Sequence, residues 1–173
     1  MKKHRFGNAT VMIQKFLSGE LRLLIGESVV AEGGDVVRDG RYFVFGDGRR
    51  AHCKYVEGDK VAVMMSYKEA GLSAEQFAMS RGWNDRRYAN ALFMPHHFVV
   101  DKVRCLRVRD FSEEDMLRSG VFKNSGGFYM VGGDVGGIEK NAVDVFRRMF
   151  DRYSSVPYEL NPWVIVYDII PLI

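Results

Sequence analysis

The sequence predicts an α+β fold in which a small mixed β-barrel of about five or more strands is flanked by helices. Short runs of β-branched and aromatic residues, separated by Gly and Asp turn signals, predict the strands. About three segments with helical periodicity and suitable caps predict the helices. Strands and helices do not alternate regularly, which argues against a doubly wound parallel sheet. A length of 173 residues suits a single domain.

The first helix is predicted at residues 10–18, TVMIQKFLS, with Thr10 as its cap and Gly19 as its stop. Its apolar residues fall on one face. Residues 29–46 then carry strand-like runs around Asp-Gly turn signals. Because such turns join neighbouring strands, we predict a hairpin in this part of the chain.

Two strands are predicted in the middle of the chain. Residues 58–65 turn at Gly-Asp and then alternate Val, Val and Met on one face. Residues 101–111 form another strand, whose alternation slips between Cys105 and Leu106. Such a slip predicts a bulge of the kind that curves barrel strands.

Two further helices are predicted in the C-terminal half. Residues 111–120, FSEEDMLRSG, contain a Ser112–Asp115 capping box and end at Gly120. A glycine-rich segment at 125–137 lacks the Gly-Lys-Ser/Thr ending of a P-loop and is predicted as a loop. The helix after it has an inner face of Ile138, Ala142, Val145, Phe146, Met149, Phe150 and Tyr153.

The last strand begins after Asn161-Pro162 with Trp163. Proline has no N–H for a ladder and biases the residue before it toward extended geometry, so it suits a sharp strand start. We expect Trp163 to be a core residue rather than a stacking one, because tryptophan is usually well buried.

Composition limits the classes of function. No run of about 18 apolar residues is present, and the basic N-terminus lacks the apolar region of a secretory signal. We therefore expect a cytoplasmic protein without a membrane span. Cys53 and Cys105 lack metal-type spacing, and reduced thiols are the simpler expectation, although a disulfide between them stays open.

Basic residues are concentrated between Arg81 and Arg109. This segment has seven Lys or Arg against two Asp, within a chain whose net charge is only +3. It also carries Trp83, Tyr88 and other aromatic residues. Such interleaving suits phosphate neutralisation and base stacking, but a solvated strand face with long side chains fits the pattern too.

Three segments carry a family resemblance in their order and spacing. They are GDKVAVMMSY at 58–67, MPHHFVVDKVRCLRVRDFSEEDMLRSGV at 94–121, and FRRMFDRY at 146–153 with NPWVIVYDI at 161–169. MIQKFLSGELRLLI at 12–25 fits more weakly. Together these motifs resemble the ASCH domains of the PUA-like superfamily, in particular their phage and prophage branch.

The resemblance implies one ASCH/PUA-like barrel over residues 1–173, with residues 27–53 as an inserted hairpin. Some ASCH proteins are amidohydrolases of acylated pyrimidine nucleosides, and others are reported as nucleases. The amidohydrolases use a Lys, a Thr and a Glu, and alignment places Leu21, Arg22 and Met65 at those positions. Because the nucleophile and the acid–base group are replaced, we expect a non-catalytic module.

We therefore predict a phage-type or mobile-element module that binds RNA, another single-stranded nucleic acid or a nucleotide-like fragment. Arg22, Ser66 and Tyr67 are expected at the cleft. The expected basic contacts are Arg81, Arg86, Arg87, His96, His97 and Arg104. No metal or cofactor is predicted, since adjacent histidines on an extended chain point to opposite faces.

Two alternatives stay open at this point. The first is a hydrolase that acts on a modified nucleoside or RNA through other residues. The second is a protein-interaction module, for instance in phage assembly, with residues 27–53 as its contact surface. The sequence leaves the oligomeric state open.

Overall fold

The computed structural model of the chain describes residues 1–6, 9–131 and 137–172, with only the backbone described at 9–11. In these ranges the chain forms ten strands, four α-helices and three short 3₁₀ turns, which is an α+β fold as predicted. The strands are β1 (Lys2–His4), β2 (Leu23–Val29), β3 (Val36–Asp39), β4 (Tyr42–Phe45), β5 (Arg50–His52), β6 (Lys60–Val63), β7 (His97–Arg107), β8 (Val121–Lys123), β9 (Tyr129–Val131) and β10 (Trp163–Leu172). The helices are α1 (Ala9–Leu17), α2 (Ala74–Phe77), α3 (Glu113–Arg118) and α4 (Ala142–Tyr153).

A five-stranded sheet in the order β1-β6-β7-β10-β2 forms the centre of the fold. β1 runs parallel to β6, and the other neighbouring strands are antiparallel. Although β1 and β2 are the two edges of this sheet, residues of both line one cavity. The sheet is therefore strongly curled, and its edges face each other without hydrogen bonds between them.

Two bulges beside β10 contribute to the curl. The β2 register shifts opposite Ile165, where two β2 residues meet one β10 residue. The β7 register shifts at Asp101, between the partners of Asp168 and Ile169. The bulge predicted between Cys105 and Leu106 is therefore wrong in position. Those two residues break the alternation because each packs into a different core on its own side of the sheet.

Strand β10 lies between β7 and β2 and is covered on both faces. Trp163 and Tyr167 pack into the core inside the curl, whereas Val164 and Val166 pack into the core outside it. Burial on both faces explains the nearly continuous apolar sequence. The predicted start at Trp163 is confirmed, and Asn161 reverses the chain before it with a φ of 45°, a conformation that Asn tolerates.

The core inside the curl is rich in aromatic residues. Phe16 of α1 packs against Phe98 of β7, and Tyr55 lies between Phe98 and Tyr167. Helix α1 begins at Ala9, one residue before the predicted cap, and the side chain of Thr10 lies outside the described residues. The helix therefore contributes Phe16 to the core inside the curl.

The core outside the curl is closed by α3 and α4. The predicted capping box of α3 is present, since Ser112 and Asp115 bond each other's backbone N–H groups. Helix α4 buries the predicted residues Ala142, Val145, Phe146, Met149 and Phe150. Ile138 and Tyr153 are exposed instead, because the first precedes the helix and the second is its last residue.

Residues 27–53 form more than a hairpin. After the end of β2 they build a three-stranded antiparallel sheet, β3-β4-β5, with the predicted Asp-Gly turns at Gly40 and Gly48 in positive φ. Arg107 holds the start of this segment through the carbonyls of Ala31 and Gly33. The segment thus docks against the central sheet.

The structure also bears on two other predictions, the strand at residues 58–65 and the disulfide between Cys53 and Cys105. The strand predicted over residues 58–65 is present as β6 but ends at Val63, and all residues from Val61 to Met65 are buried, so the strand is covered on both faces. Cys53 and Cys105 are free thiols, so the disulfide left open by the sequence is not formed. Within the part of the chain that the structure describes, none of the helices has both the length and the apolar character needed to cross a bilayer.

Candidate ligand-binding cavity

A cavity of about 230 Å³ lies between the two edges of the curled sheet. Its walls come from His4 of β1 and the nearby Phe6, from the C-terminal end of α4, and from five residues of β2, namely Leu23, Leu24, Ile25, Gly26 and Ser28. Apolar side chains form most of the lining. An engineered cavity of about 150 Å³ already holds benzene, so this one has room for a single substituted ring.

His4 provides a polar group within the apolar wall. Its ring packs edge-on against Phe6, with the ring centroids 4.8 Å apart, and its Nδ1 lies 3.1 Å from the Tyr55 hydroxyl oxygen. Burial, and then the charge of Lys54, lower the pKa of His4 to about 3. The imidazole is therefore neutral at physiological pH.

Three serines complete the polar lining. Ser119 follows α3 and donates to the carbonyl of Met116 over 2.8 Å. Ser154 follows α4, and its Oγ lies 3.1 Å from that of Ser28 in β2. These contacts fix the three hydroxyls, so the polar groups of the wall are already oriented without a ligand.

The mouth of the cavity is cationic and aromatic. Arg5 and Tyr153 are exposed residues of its lining, and 56% of Tyr153 is accessible. Burial, and then the charge of Arg5, lower the pKa of Lys54, so a second cation lies near Arg5, although Lys54 itself does not line the cavity. Such a pair favours an anion at the entrance.

The predicted cleft residues Ser66 and Tyr67 do not lie in this cavity. Both are buried, with 3% and 4% of their surface exposed. Ser66 Oγ bonds Glu69, whereas the Tyr67 ring packs against Phe77 and its hydroxyl accepts from the Asn90 N–H. The expectation that Tyr67 offers a stacking face is therefore corrected, because its ring is already part of the core.

Residues 81–88 form one loop in which the arginines have partners. Arg81 stacks over the Tyr88 ring at 3.9 Å, and Arg87 pairs with Asp85. Arg86 donates to the carbonyl of Phe6 over 2.9 Å and thereby braces the cavity wall. Among the three predicted phosphate contacts in this loop, Arg86 is the one that is hydrogen-bonded to a residue lining the cavity.

Arg104 lies in a buried network on the outer side of the sheet. It binds Asp168 over 2.8 Å and Asp115 over 2.9 Å, and Arg118 completes the pairing of Asp168. Burial alone would raise the pKa of Asp115, but the hydrogen bond and charge of Arg104 outweigh it and lower that pKa. Two carboxylates already pair with the Arg104 guanidinium, so the predicted phosphate contact of Arg104 would have to compete with them.

The other predicted contacts are dispersed. Arg22 adjoins the cavity residue Leu23, but its Nε donates to the Gly19 carbonyl over 2.7 Å. His96 and His97 are partly exposed near the start of β7, and burial, then the charge of Lys60, lower the pKa of His97. The predicted basic contacts thus lie on the loop at 81–88, at the start of β7 and within β7.

Two of the three positions aligned with the amidohydrolase residues are inside the core. Leu21 is fully buried and Met65 is 6% exposed. Within the described residues, no group of three or more His, Cys, Asp or Glu is arranged to hold a metal ion. Comparison of the chain with protein-family models, with curated proteins and with solved structures found no match.

Sequence reasoning missed the residues that line the cavity. His4 lies in a short strand whose partner, β6, begins at Lys60, so nothing local predicts its neighbours. The sequence did indicate Tyr153 indirectly. It is the last apolar residue on the inner face of α4, and a side chain at the end of a helix can extend beyond the core.

Proposed function

We propose that the protein is a non-catalytic ASCH-type module of the PUA-like superfamily, of the phage or mobile-element kind. It binds RNA or another single-stranded nucleic acid by taking one unpaired base into the cavity between β1 and β2. The observation that carries this proposal is the cavity itself: apolar walls, a few oriented polar groups, and an aromatic and cationic mouth. Single-strand binding combines these same elements, base stacking and backbone neutralisation.

Several features support the barrel assignment within this proposal. In the curled five-stranded sheet the Asn-Pro-Trp strand β10 lies between β7, the strand that follows Met-Pro, and the edge strand β2. The acidic helix α3 has its capping box, and the aromatic helix α4 packs on the outer face. The motifs that carry the resemblance thus lie in contact with one another.

Stacking by Tyr153 provides the first test. Replacing Tyr153 by Ala removes an exposed ring at the mouth, and one stacked base contributes about 1–3 kcal/mol. We expect the affinity for a short labelled RNA, measured by fluorescence anisotropy, to fall by about tenfold. The loss should be nearly independent of salt, because stacking is not an ionic interaction.

Tyr88→Ala is the matched control for this test. Tyr88 is also exposed, at 47%, but it stacks with Arg81 in the loop at 81–88. Unchanged affinity for Tyr88→Ala together with a loss for Tyr153→Ala supports the cavity. The reverse result would move the binding site to the basic segment and contradict the proposal.

The hydrolase alternative has a weaker chemical basis. A general base works best with a pKa near the operating pH, and the pKa of His4 is about 3. None of the described residues that line the cavity is an Asp or a Glu. We expect no hydrolysis of acylated cytidine above a no-enzyme control, and turnover that is lost on His4→Phe would favour the enzyme.

A protein contact through residues 27–53 is the second candidate, and one observation favours it. Strand β3 has a single neighbour, β4, among the described strands, and Val37 on it is 66% exposed. Edge strands of this kind can pair with another chain. Val37→Lys should abolish such pairing while leaving RNA affinity unchanged.

A further inference from the structure

The hydrogen atoms of the cavity side chains can be assigned from their contacts. Tyr55 Oη lies 3.1 Å from His4 Nδ1 and 2.9 Å from the Lys3 carbonyl oxygen. Because a carbonyl only accepts, Tyr55 donates its single hydroxyl hydrogen to Lys3, and His4 Nδ1–H donates to Tyr55. His4 Nε2 therefore carries a lone pair, and no described residue is hydrogen-bonded to it.

The same reasoning applies to the serines. Ser154 Oγ lies 2.8 Å from the Val156 carbonyl, which takes its only hydroxyl hydrogen, and it accepts from the Val156 N–H over 3.0 Å. Ser28 must then donate across the 3.1 Å contact to Ser154. Ser119 gives its hydrogen to the Met116 carbonyl. Ser28 and Ser119 thus keep only lone pairs for a ligand.

The side chains inside the cavity therefore offer acceptors at His4, Ser28 and Ser119. The free edge of β2 adds backbone N–H and C=O groups in equal measure, so it does not change this balance. Arg5 and Tyr153 are exposed at the mouth, where a sugar and phosphate would lie. The inner lining consequently has a surplus of acceptors.

We infer that the cavity selects a ring that presents N–H donors, such as an amino-substituted heterocycle, over the same ring with a carbonyl in that position. This inference rests on the proposed function and names its specificity. A carbonyl oxygen placed against a lone pair would be repelled and would leave a buried acceptor unpaired. A buried polar group that loses its partner is expensive.

The test compares nucleotides in which an amino group is exchanged for a carbonyl group, an exchange that also turns the adjacent ring nitrogen from an acceptor into an N–H donor. Adenosine 5′-monophosphate is paired with inosine 5′-monophosphate, and cytidine 5′-monophosphate with uridine 5′-monophosphate. We expect the amino member of at least one pair to bind the full chain about tenfold more tightly in isothermal titration calorimetry. The phosphate is common to every ligand and cancels.

Two variants assign the preference to its residues. His4→Phe retains an aromatic ring against Phe6 and Phe98 but lacks the acceptor, and Ser28→Ala removes a second acceptor at a partly exposed position. Each should reduce the amino preference by about fivefold. His52→Phe is the matched control, because His52 is exposed on β5 and does not line the cavity.

Each outcome is decisive. An amino preference that falls in either cavity variant and persists in His52→Phe supports the inference. Equal binding within both pairs, or tighter binding of the carbonyl members, overturns the inference but leaves nucleotide binding in place. A preference that persists in both cavity variants overturns its assignment to His4 and Ser28. If no ligand binds, both the inference and the proposed function are wrong.

Discussion

Arg104 illustrates how the role assigned to a residue changes once its contacts in the folded chain are known. Only 27% of its side chain is accessible, and Asp168, which it binds, is 7% exposed as a residue. Asp168 is separated from it by 64 positions in the chain. No local pattern announces such a partner, so the sequence predicted a cation that is free to bind phosphate.

Removing Arg104 should therefore affect stability rather than binding. In Arg104→Ala, Asp168 and Asp115 remain close together with one guanidinium fewer, and breaking a buried charge pair typically costs about 3–5 kcal/mol. Because Arg118 still pairs with Asp168, we expect the free energy of unfolding to fall by about 2–3 kcal/mol in urea titrations.

Arg50→Ala is the matched control for Arg104. Arg50 has 60% of its side chain exposed and lies 4.0 Å from Asp39, so its loss should change stability by less than about 0.5 kcal/mol. RNA affinity should be unchanged in both variants. Weaker RNA binding by folded Arg104→Ala would restore the original phosphate-contact hypothesis.

At the scale of elements, the close contact of β2 with β10 depends on Gly26. A Cβ at this position would lie 2.7 Å from a ring carbon of Tyr167 and 3.3 Å from the Ile165 carbonyl oxygen. The ring cannot move freely, because the Tyr167 hydroxyl accepts from the Lys54 N–H over 2.9 Å. Gly26→Ala should lower the free energy of unfolding by about 1–3 kcal/mol.

Gly34→Ala provides the comparison for this overpacking prediction. An added Cβ at Gly34 has no atom within 4 Å, and its backbone is not in positive φ. We expect its thermal midpoint to remain close to that of the unmodified protein, whereas that of Gly26→Ala should drop. Similar midpoints for the two variants would show that β2 adapts without cost.

Glu57 links the inserted sheet to β7, and its ionisation should make the free energy of unfolding depend on pH in the acidic range. Its carboxylate binds Arg38 of β3 and accepts from the Val103 N–H over 3.0 Å. The Arg38 hydrogen bond lowers the pKa of Glu57 from 4.5 to about 2. A carboxylate with a depressed pKa in the folded state contributes stability above its unfolded pKa and loses it as the pH falls.

We therefore expect a contribution that is complete above pH 4.5 and disappears as the pH falls towards 2. Glu57→Gln should be less stable than the unmodified protein at pH 7, and the difference should shrink through this window in urea titrations. Glu32→Gln, an exposed change in the same inserted segment, is the control and should leave stability at pH 7 close to that of the unmodified protein. A pH-independent difference for Glu57→Gln would contradict the ion-pair explanation.

Elements were predictable where their signals are local. The capping box at Ser112 and the strand start at Trp163 depend on neighbouring residues and were found. The bulge at Asp101 was missed because it depends on how β7 pairs with a strand more than 60 residues away. The third strand of the inserted segment, β5, is only three residues long and is defined by its pairing with β4.

At the scale of the whole molecule, the distribution of cations predicts a shallow salt dependence. Arg5 lines the mouth and Lys54 is close enough to feel its charge, and each phosphate contact on a single strand contributes a slope of about −0.7 in log K against log salt. We expect a slope of about −1.4 for a short RNA, rather than the roughly −2 to −3 that three or four arginines of the segment 81–109 would give.

Anisotropy titrations at several salt concentrations measure this slope. Arg5→Ala should reduce it by about one contact, whereas Arg81→Ala should not change it, since Arg81 stacks with Tyr88. A steep slope that falls in Arg81→Ala would place the nucleic acid on the basic segment.

The α+β class followed from local patterns, but the cavity did not. Its walls come from β1, β2 and the end of α4, and each of these belongs to a different part of the chain. Only the curl of the sheet brings them together, and curl depends on long-range pairing. The sequence could therefore name the composition of a binding site but not its position.

The shortness of β1 gives the molecule one further property. This edge strand is held to β6 by three paired residues and by the Lys2–Asp59 ion pair, and it carries His4. Edge segments with so few contacts open locally far more often than the whole protein unfolds. A ligand that touches His4 binds only while β1 is docked, so occupancy must slow the exchange of the β1 amide hydrogens with deuterated water, and the degree of slowing reports the affinity.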